Sequence, residues 1–181
     1  MNVLVVVDMQ NDFIDGALGT EEAKAIVSKV AKKIEDFDGV ILYTRDTHEG
    51  NYLDTQEGKL LPVTHCIRGS EGWQLAPQIQ KTAEEDRIID KPSFGSVDLC
   101  YTINEELLDE EAMARGEVVD SVTLVGLCTD ICVISNAILL KAFLPEVPVI
   151  VDAACCAGVT PQSHRNALEA MKMCQIQIEN E

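Results

Sequence analysis

Positive charge is scarce in this chain: 14 lysines and arginines stand against 31 aspartates and glutamates, a formal net charge of −17 over 181 residues. Such a surface repels nucleic acid and anionic membrane and favours solubility, so no nucleic-acid or membrane partner is expected. Long apolar runs are missing too, and none approaches the roughly 20 residues that span a bilayer. The opening MNVLVVVDMQ has no basic segment before its apolar run and no small-residue cleavage site after it, so the expected location is cytoplasmic. Aromatic residues make up 4% of the chain, with one tryptophan, and there are three histidines. Any ring or imidazole that does occur therefore carries more information than usual. Seven cysteines, an odd number at irregular spacing with no export signal, read as reduced thiols rather than a disulfide framework. The adjacent Cys155 and Cys156 read as buried cysteines at a strand end. No repeat, low-complexity tract or linker divides the chain, which is read as one domain over 1–181.

What is present is an alternation of short β-branched runs with helical patterns. NVLVVVD (2–8) is continuously apolar and reads as a strand buried on both faces. A helix is predicted over 20–37, capped by Thr20, with Ala23, Ile26, Val27, Val30 and Ile34 on one face. Further strands are predicted at 39–46, 86–91, 121–127, 147–153 and 174–180. Helices are predicted around 73–82, 130–143 and 160–173, the last with a cap at Thr160 and Pro161 at its first position. The acidic stretches TAEED (82–86) and INEELLDEEAMARGE (103–117) read as solvated helix faces and turns. The polar segment from Thr47 to Gly72 is too long for a simple connection, and loops of that length are usually functional. The pattern predicts an α/β fold with three layers, a six-stranded, mostly parallel sheet carrying helices on both faces.

In such sheets ligands bind beyond the carboxyl ends of the strands. The residues found there are Asp8, then Asp46 and His48, then Lys91, then Cys128 and Cys132. A thiolate is the reactive form of cysteine, and a helix amino terminus lowers a thiol pKa. Cys132 lies in the first helical turn after the strand, whereas Cys128 precedes the helix. Cys132 is therefore the expected nucleophile, and the backbone N–H groups of Cys128 and Cys132 are placed to hold an oxyanion. Asp46-x-His48 and the distant His65 offer a carboxylate and two imidazoles, donors suited to Zn, Fe or Mn. The other reading of His48 and His65 is loop packing.

Three motifs, VVVDMQNDF, DKPSFGS and GLCTDICV, resemble in order the signatures of the isochorismatase-like cysteine hydrolases, a superfamily that includes the nicotinamidases. The resemblance covers nearly the whole chain. It implies a catalytic triad of Asp8 as general base and acid, Lys91 as support for the charge, and Cys132 as the acyl-forming nucleophile. It also implies a non-proline cis peptide between Leu127 and Cys128, where many relatives carry alanine at the second position. Asp46, His48 and His65, with Glu57 as a fourth side chain, match the nicotinamidase metal site, which implies one divalent metal as cofactor. Phe13 matches a position that packs on the substrate ring. Trp73 either walls the pocket or anchors its helix, and His164 reads as structural.

The expectation is thus a metal-dependent nicotinamidase converting nicotinamide to nicotinate and ammonia. The alternatives are a hydrolase of another small amide or carbamoyl compound without the loop metal, and a non-enzymatic metal-binding, redox or interaction domain. A homo-oligomer is expected by the same resemblance.

Overall fold

The computed structural model describes residues 1–107, 114–116 and 118–181, with only the backbone described at Glu105 and Glu106. Part of the acidic stretch 103–117 therefore lies outside the described residues. The strands β1 (Asn2–Val7), β2 (Val40–Asp46), β3 (Ile88–Lys91), β4 (Ser121–Leu127), β5 (Val149–Ala157) and β6 (Gln177–Glu179) form a single sheet in the order β3-β2-β1-β4-β5-β6. Every adjacent pair is parallel. The sheet is therefore wholly rather than mostly parallel. The order reverses between β1 and β4, and that switch opens a crevice at the carboxyl edge.

The apolar run of β1 follows from its central place. Val3, Val5 and Val7 face one layer and Leu4 and Val6 the other, all fully buried. On the Leu4 side lie α1 (Asn11–Ile14), α2 (Glu21–Asp36) and α4 (Pro77–Gln80). Helix α2 starts where the Thr20 side chain accepts from the Ala23 amide, and it buries Ala23, Ile26, Val30 and Ile34. Each of the three larger side chains contributes about 1.5–3 kcal/mol relative to exposure. The Val3 side is covered by α5 (Val97–Tyr101), α6 (Ile134–Phe143) and α7 (Pro161–Met173). Helix α7 opens on a reciprocal capping box between Thr160 and Ser163.

Several boundaries differ from the sequence pattern. The helix around 73–82 is reduced to the single turn of α4, because Pro77 forces the chain before it out of helical geometry. Strand β5 runs on to Ala157, so Cys155 and Cys156 lie inside it, both buried. A π-helical turn, Thr129–Val133, precedes α6. The long polar loop is folded: His48 bridges to Ile67, and the loop contains the turn Tyr52–Asp54 and helix α3 (Gln56–Leu60). Among the described residues, no helix is long and apolar enough to cross a membrane.

At the carboxyl end of β4, Gly126 has φ +113°, and a Cβ there would lie 2.1 Å from the Val7 carbonyl oxygen. Only glycine lets β4 approach β1 this closely beside Asp8.

Candidate active site

Four strand ends deliver the site. Asp8 follows β1 with φ 47°, a left-handed conformation that aspartate tolerates better than most residues. Asp46 ends β2, Lys91 ends β3, and Cys132 sits in the π-helical turn after β4. The Leu127–Cys128 peptide is cis.

Lys91 connects the group. Its Nζ lies 2.7 Å from Asp8 Oδ2, 3.4 Å from Cys132 Sγ and 3.4 Å from Asp46 Oδ1, and it donates to the Ser93 carbonyl at 3.1 Å. Asp8 and Lys91 are completely buried and Cys132 nearly so. Burial raises the Asp8 carboxyl above its ordinary value, and the facing Lys91 ammonium only partly offsets this. Burial opposes the charge on Lys91, but Asp8, Cys132 and Asp46 outweigh it and hold the ammonium firmly protonated.

The helix-end argument for a lowered Cys132 pKa does not hold. Burial pushes this thiol well above its ordinary value, and the Asp8 carboxylate adds to the rise, while Lys91 acts against both. A raised thiol beside a raised carboxyl suits direct proton exchange between the two. Cys128 is also pushed up by burial, to about 12. Position beside Lys91 and Asp8, rather than the helix dipole, separates the two cysteines.

Next to the Asp8, Lys91 and Cys132 cluster, Asp46, His48, Glu57 and His65 bring one donor atom each to within 4.8 Å of one another. Asp46 Oδ2 lies 3.0 Å from His48 Nε2 and 3.5 Å from His65 Nε2, and Glu57 Oε1 lies 3.5 and 4.0 Å from the same nitrogens. The donor chemistry fits a divalent metal on two observations. His65 Nδ1 is 2.8 Å from the Val63 carbonyl, which assigns its proton there and leaves the Nε2 lone pair toward the cluster. His48 Nε2 is buried without a hydrogen-bond partner, although two carboxylates converge on it. Burial would raise the Asp46 carboxyl, but His48, His65 and Lys91 overcome it and hold it well below the usual carboxylate range.

The first group through Cys132, and the second through Asp46, Glu57 and His65, border a cavity of about 530 Å³ that Cys128 and Phe13 also line. The Phe13 ring meets His65 edge-on at 5.6 Å. Trp73 does not border this cavity. Its Nε1 donates to Thr47 Oγ1 at 2.8 Å, and its ring lies under the Arg45 guanidinium at 3.9 Å, so it anchors the loop to β2. His164 is not remote from the GLCTDIC motif, because its Nδ1 is 2.8 Å from Thr129 Oγ1.

Two residues that hold this geometry escaped the sequence reading. Thr44 Oγ1 donates to Asp8 Oδ1 at 2.7 Å. Gln10 accepts from the Asp46 amide at 2.7 Å and donates to the carbonyls of Asp46 and Trp73 at 2.8 and 2.9 Å. The available signal was period: Thr44 lies two residues before Asp46, and Gln10 two after Asp8, so each shares a face with a strand-end carboxylate.

The isochorismatase domain model matches residues 2–181. The chain is similar to the nicotinamidase of Saccharomyces cerevisiae, at 25% identity over 98% of this chain and 99% of that protein. It is 27% identical to the nicotinamidase/pyrazinamidase of Mycobacterium tuberculosis, over 98% of each. Among solved structures, the pyrazinamidase of Pyrococcus horikoshii in complex with zinc superposes with a TM-score of 0.77 at 29% identity, covering 99% of both chains. With its sheet, its strand-end site and this match over the full length, the chain belongs to the isochorismatase family.

Proposed function

We propose that this protein is a metal-dependent nicotinamidase, hydrolysing nicotinamide to nicotinate and ammonia through an acyl group on Cys132. The observation that carries the reading is the meeting, across one cavity, of the Asp8–Lys91–Cys132 cluster and the four-donor cluster of Asp46, His48, Glu57 and His65. The second cluster favours nicotinamide over an amide lacking a ligating ring nitrogen. The similarity of the chain to nicotinamidases and to a pyrazinamidase in complex with zinc supports the same reading.

Asp46, His48, Glu57 and His65 would hold the metal, which when bound supplies a Lewis-acidic anchor for the pyridine nitrogen. Asp8 takes the Cys132 proton as Sγ attacks the carboxamide carbon. The backbone N–H groups of Cys128 and Cys132 are assigned to the oxyanion. Asp8 then returns the proton to the departing nitrogen, the C–N bond breaks, and ammonia leaves. Water, losing a proton to Asp8, attacks the thioester, and Cys132 leaves and is reprotonated. Lys91 keeps the carboxylate and sulfur in register as charge passes between them. Phe13 flanks the ring.

The test is ammonia release from nicotinamide by metal-loaded protein beside Cys132→Ala and a chelated sample. Loss in both controls is expected. Activity that survived Cys132→Ala would overturn the mechanism, and no turnover by the loaded protein would remove nicotinamide as substrate.

A further inference from the structure

The cavity in front of Cys132 is much larger than nicotinamide requires. Its volume is about 530 Å³. A cavity of about 150 Å³ lined by Leu, Ile and Phe holds a benzene ring, and nicotinamide adds to such a ring only a three-atom carboxamide. The surplus is mostly apolar: away from the reacting groups the walls are Leu18, Leu60, Leu61, Phe94, Ile131 and Val159, with Thr20, Gln56 and Ser93 among them. Leu60 and Phe94 are 79% and 45% exposed at the mouth of the site.

This collar is held in place. Leu60 ends the helix that carries Glu57, the Leu61 amide donates to the Glu57 carbonyl at 2.8 Å, and the Tyr52 hydroxyl donates to the Leu61 carbonyl at 3.0 Å. Phe94 follows Lys91 by three residues, and its carbonyl accepts from Asn136 Nδ2 at 3.2 Å. The apolar groups therefore sit on the two segments that also supply a metal donor and a member of the triad.

The opposite end is closed. Asp8 and Lys91 are 0% exposed, and neither borders the cavity. The nitrogen that takes the Asp8 proton must point to that closed side, which argues against a substituent on it.

We infer that the substrate class is a primary aromatic carboxamide bearing an apolar substituent on a ring carbon, the substituent lying against Leu60, Leu61 and Phe94. This rests on the nicotinamidase reading and narrows it. Hydrolysis of such a compound consumes one water and gives the ring carboxylic acid and ammonia.

The experiment compares nicotinamide with methyl, ethyl and propyl nicotinamides substituted at ring carbon 5 or 6, and with N-propylnicotinamide. It measures kcat/KM on metal-loaded protein, and Kd by calorimetry on metal-loaded Cys132→Ala. Along at least one series both affinity and kcat/KM should rise about fourfold per methylene, which corresponds to about 0.8 kcal/mol per buried CH₂. N-propylnicotinamide should release no propylamine. Leu60→Asp, whose charge stays in solvent, should abolish the gain from the propyl group. Flat or falling series with nicotinamide still hydrolysed would overturn the inference and leave the nicotinamidase reading standing. Flat series with dimerisation that Leu60→Asp abolishes would overturn it too, by giving the collar to a second copy of the chain. No ammonia from any member, with metal bound, would overturn both readings together.

Discussion

Thr44→Val tests whether the orientation of Asp8 is set by more than its ion pair. Thr44 Oγ1 donates to Asp8 Oδ1 at 2.7 Å, and both residues are fully buried. Valine keeps the shape and β-branching of threonine but lacks the donor, so β2 should hold its conformation. A hydrogen bond to a charged group is worth about 1.5–3 kcal/mol. At 1.36 kcal/mol per tenfold in rate, kcat/KM should fall roughly 10- to 150-fold. The pH profile adds a second readout. Burial already raises the Asp8 carboxyl, while Lys91 and the Thr44 hydroxyl act against the rise. Removing the hydroxyl raises the carboxyl further, so its basic form appears only at higher pH and the acid limb of kcat/KM should move upward. Thr44→Ser should restore both rate and profile, and metal content should stay unchanged because Thr44 touches none of the four donors. Activity within twofold of the parent, with an unmoved acid limb, would refute the reasoning and leave Lys91 as sufficient to hold Asp8.

Glu57→Ala should weaken metal binding at least as much as the roughly tenfold cost of losing an outer hydrogen bond, measured by competition with a chromogenic chelator; unchanged affinity would remove Glu57 from the donor set. Trp73→Phe deletes the bond to Thr47 Oγ1, worth about 1 kcal/mol. Tm should then fall by about 2–4 °C with the KM for nicotinamide unaltered, and a raised KM at constant Tm would put Trp73 back at the substrate. His164 is depressed below its ordinary pKa by burial, so the unfolded chain binds its proton first as pH falls. Its contribution to stability is full above the ordinary value of 6.5 and is lost as pH drops through it toward the folded pKa. Urea unfolding at several pH values should show this slope, and it should shrink in His164→Gln.

The strand-end residues were legible because a parallel sheet confines its chemistry to one edge, and each strand there is marked by an abrupt change from apolar to ionisable residues. Helix α2 was legible from its stripe and its threonine cap. The carboxyl half of β5 was not, because Ala-Ala-Cys-Cys-Ala is too small and uniform to show a period. The direction of the Cys132 pKa shift was not legible for a related reason: position along the chain gave its distance from a helix end, but burial belongs to the packed fold. Trp73 offered two readings that only a neighbour could separate, and that neighbour, Arg45, is 28 positions away in sequence. Thr44 and Gln10 act across strands, through partners 36 residues distant, which local pattern does not register.

The bonds of Gln10 have a consequence for how the donor cage can vary. One amide side chain grips the peptide of Asp46 from both sides and reaches the Trp73 carbonyl with its remaining proton. No other uncharged side chain of that length offers one acceptor and two donors on a single planar group, and glutamate would set a carboxylate against two carbonyls. The position of Asp46 in the cage is therefore inherited from the sheet, while His48, Glu57 and His65 come from the loop. A cation bound there would meet one donor fixed by the sheet edge and three whose positions the loop can vary.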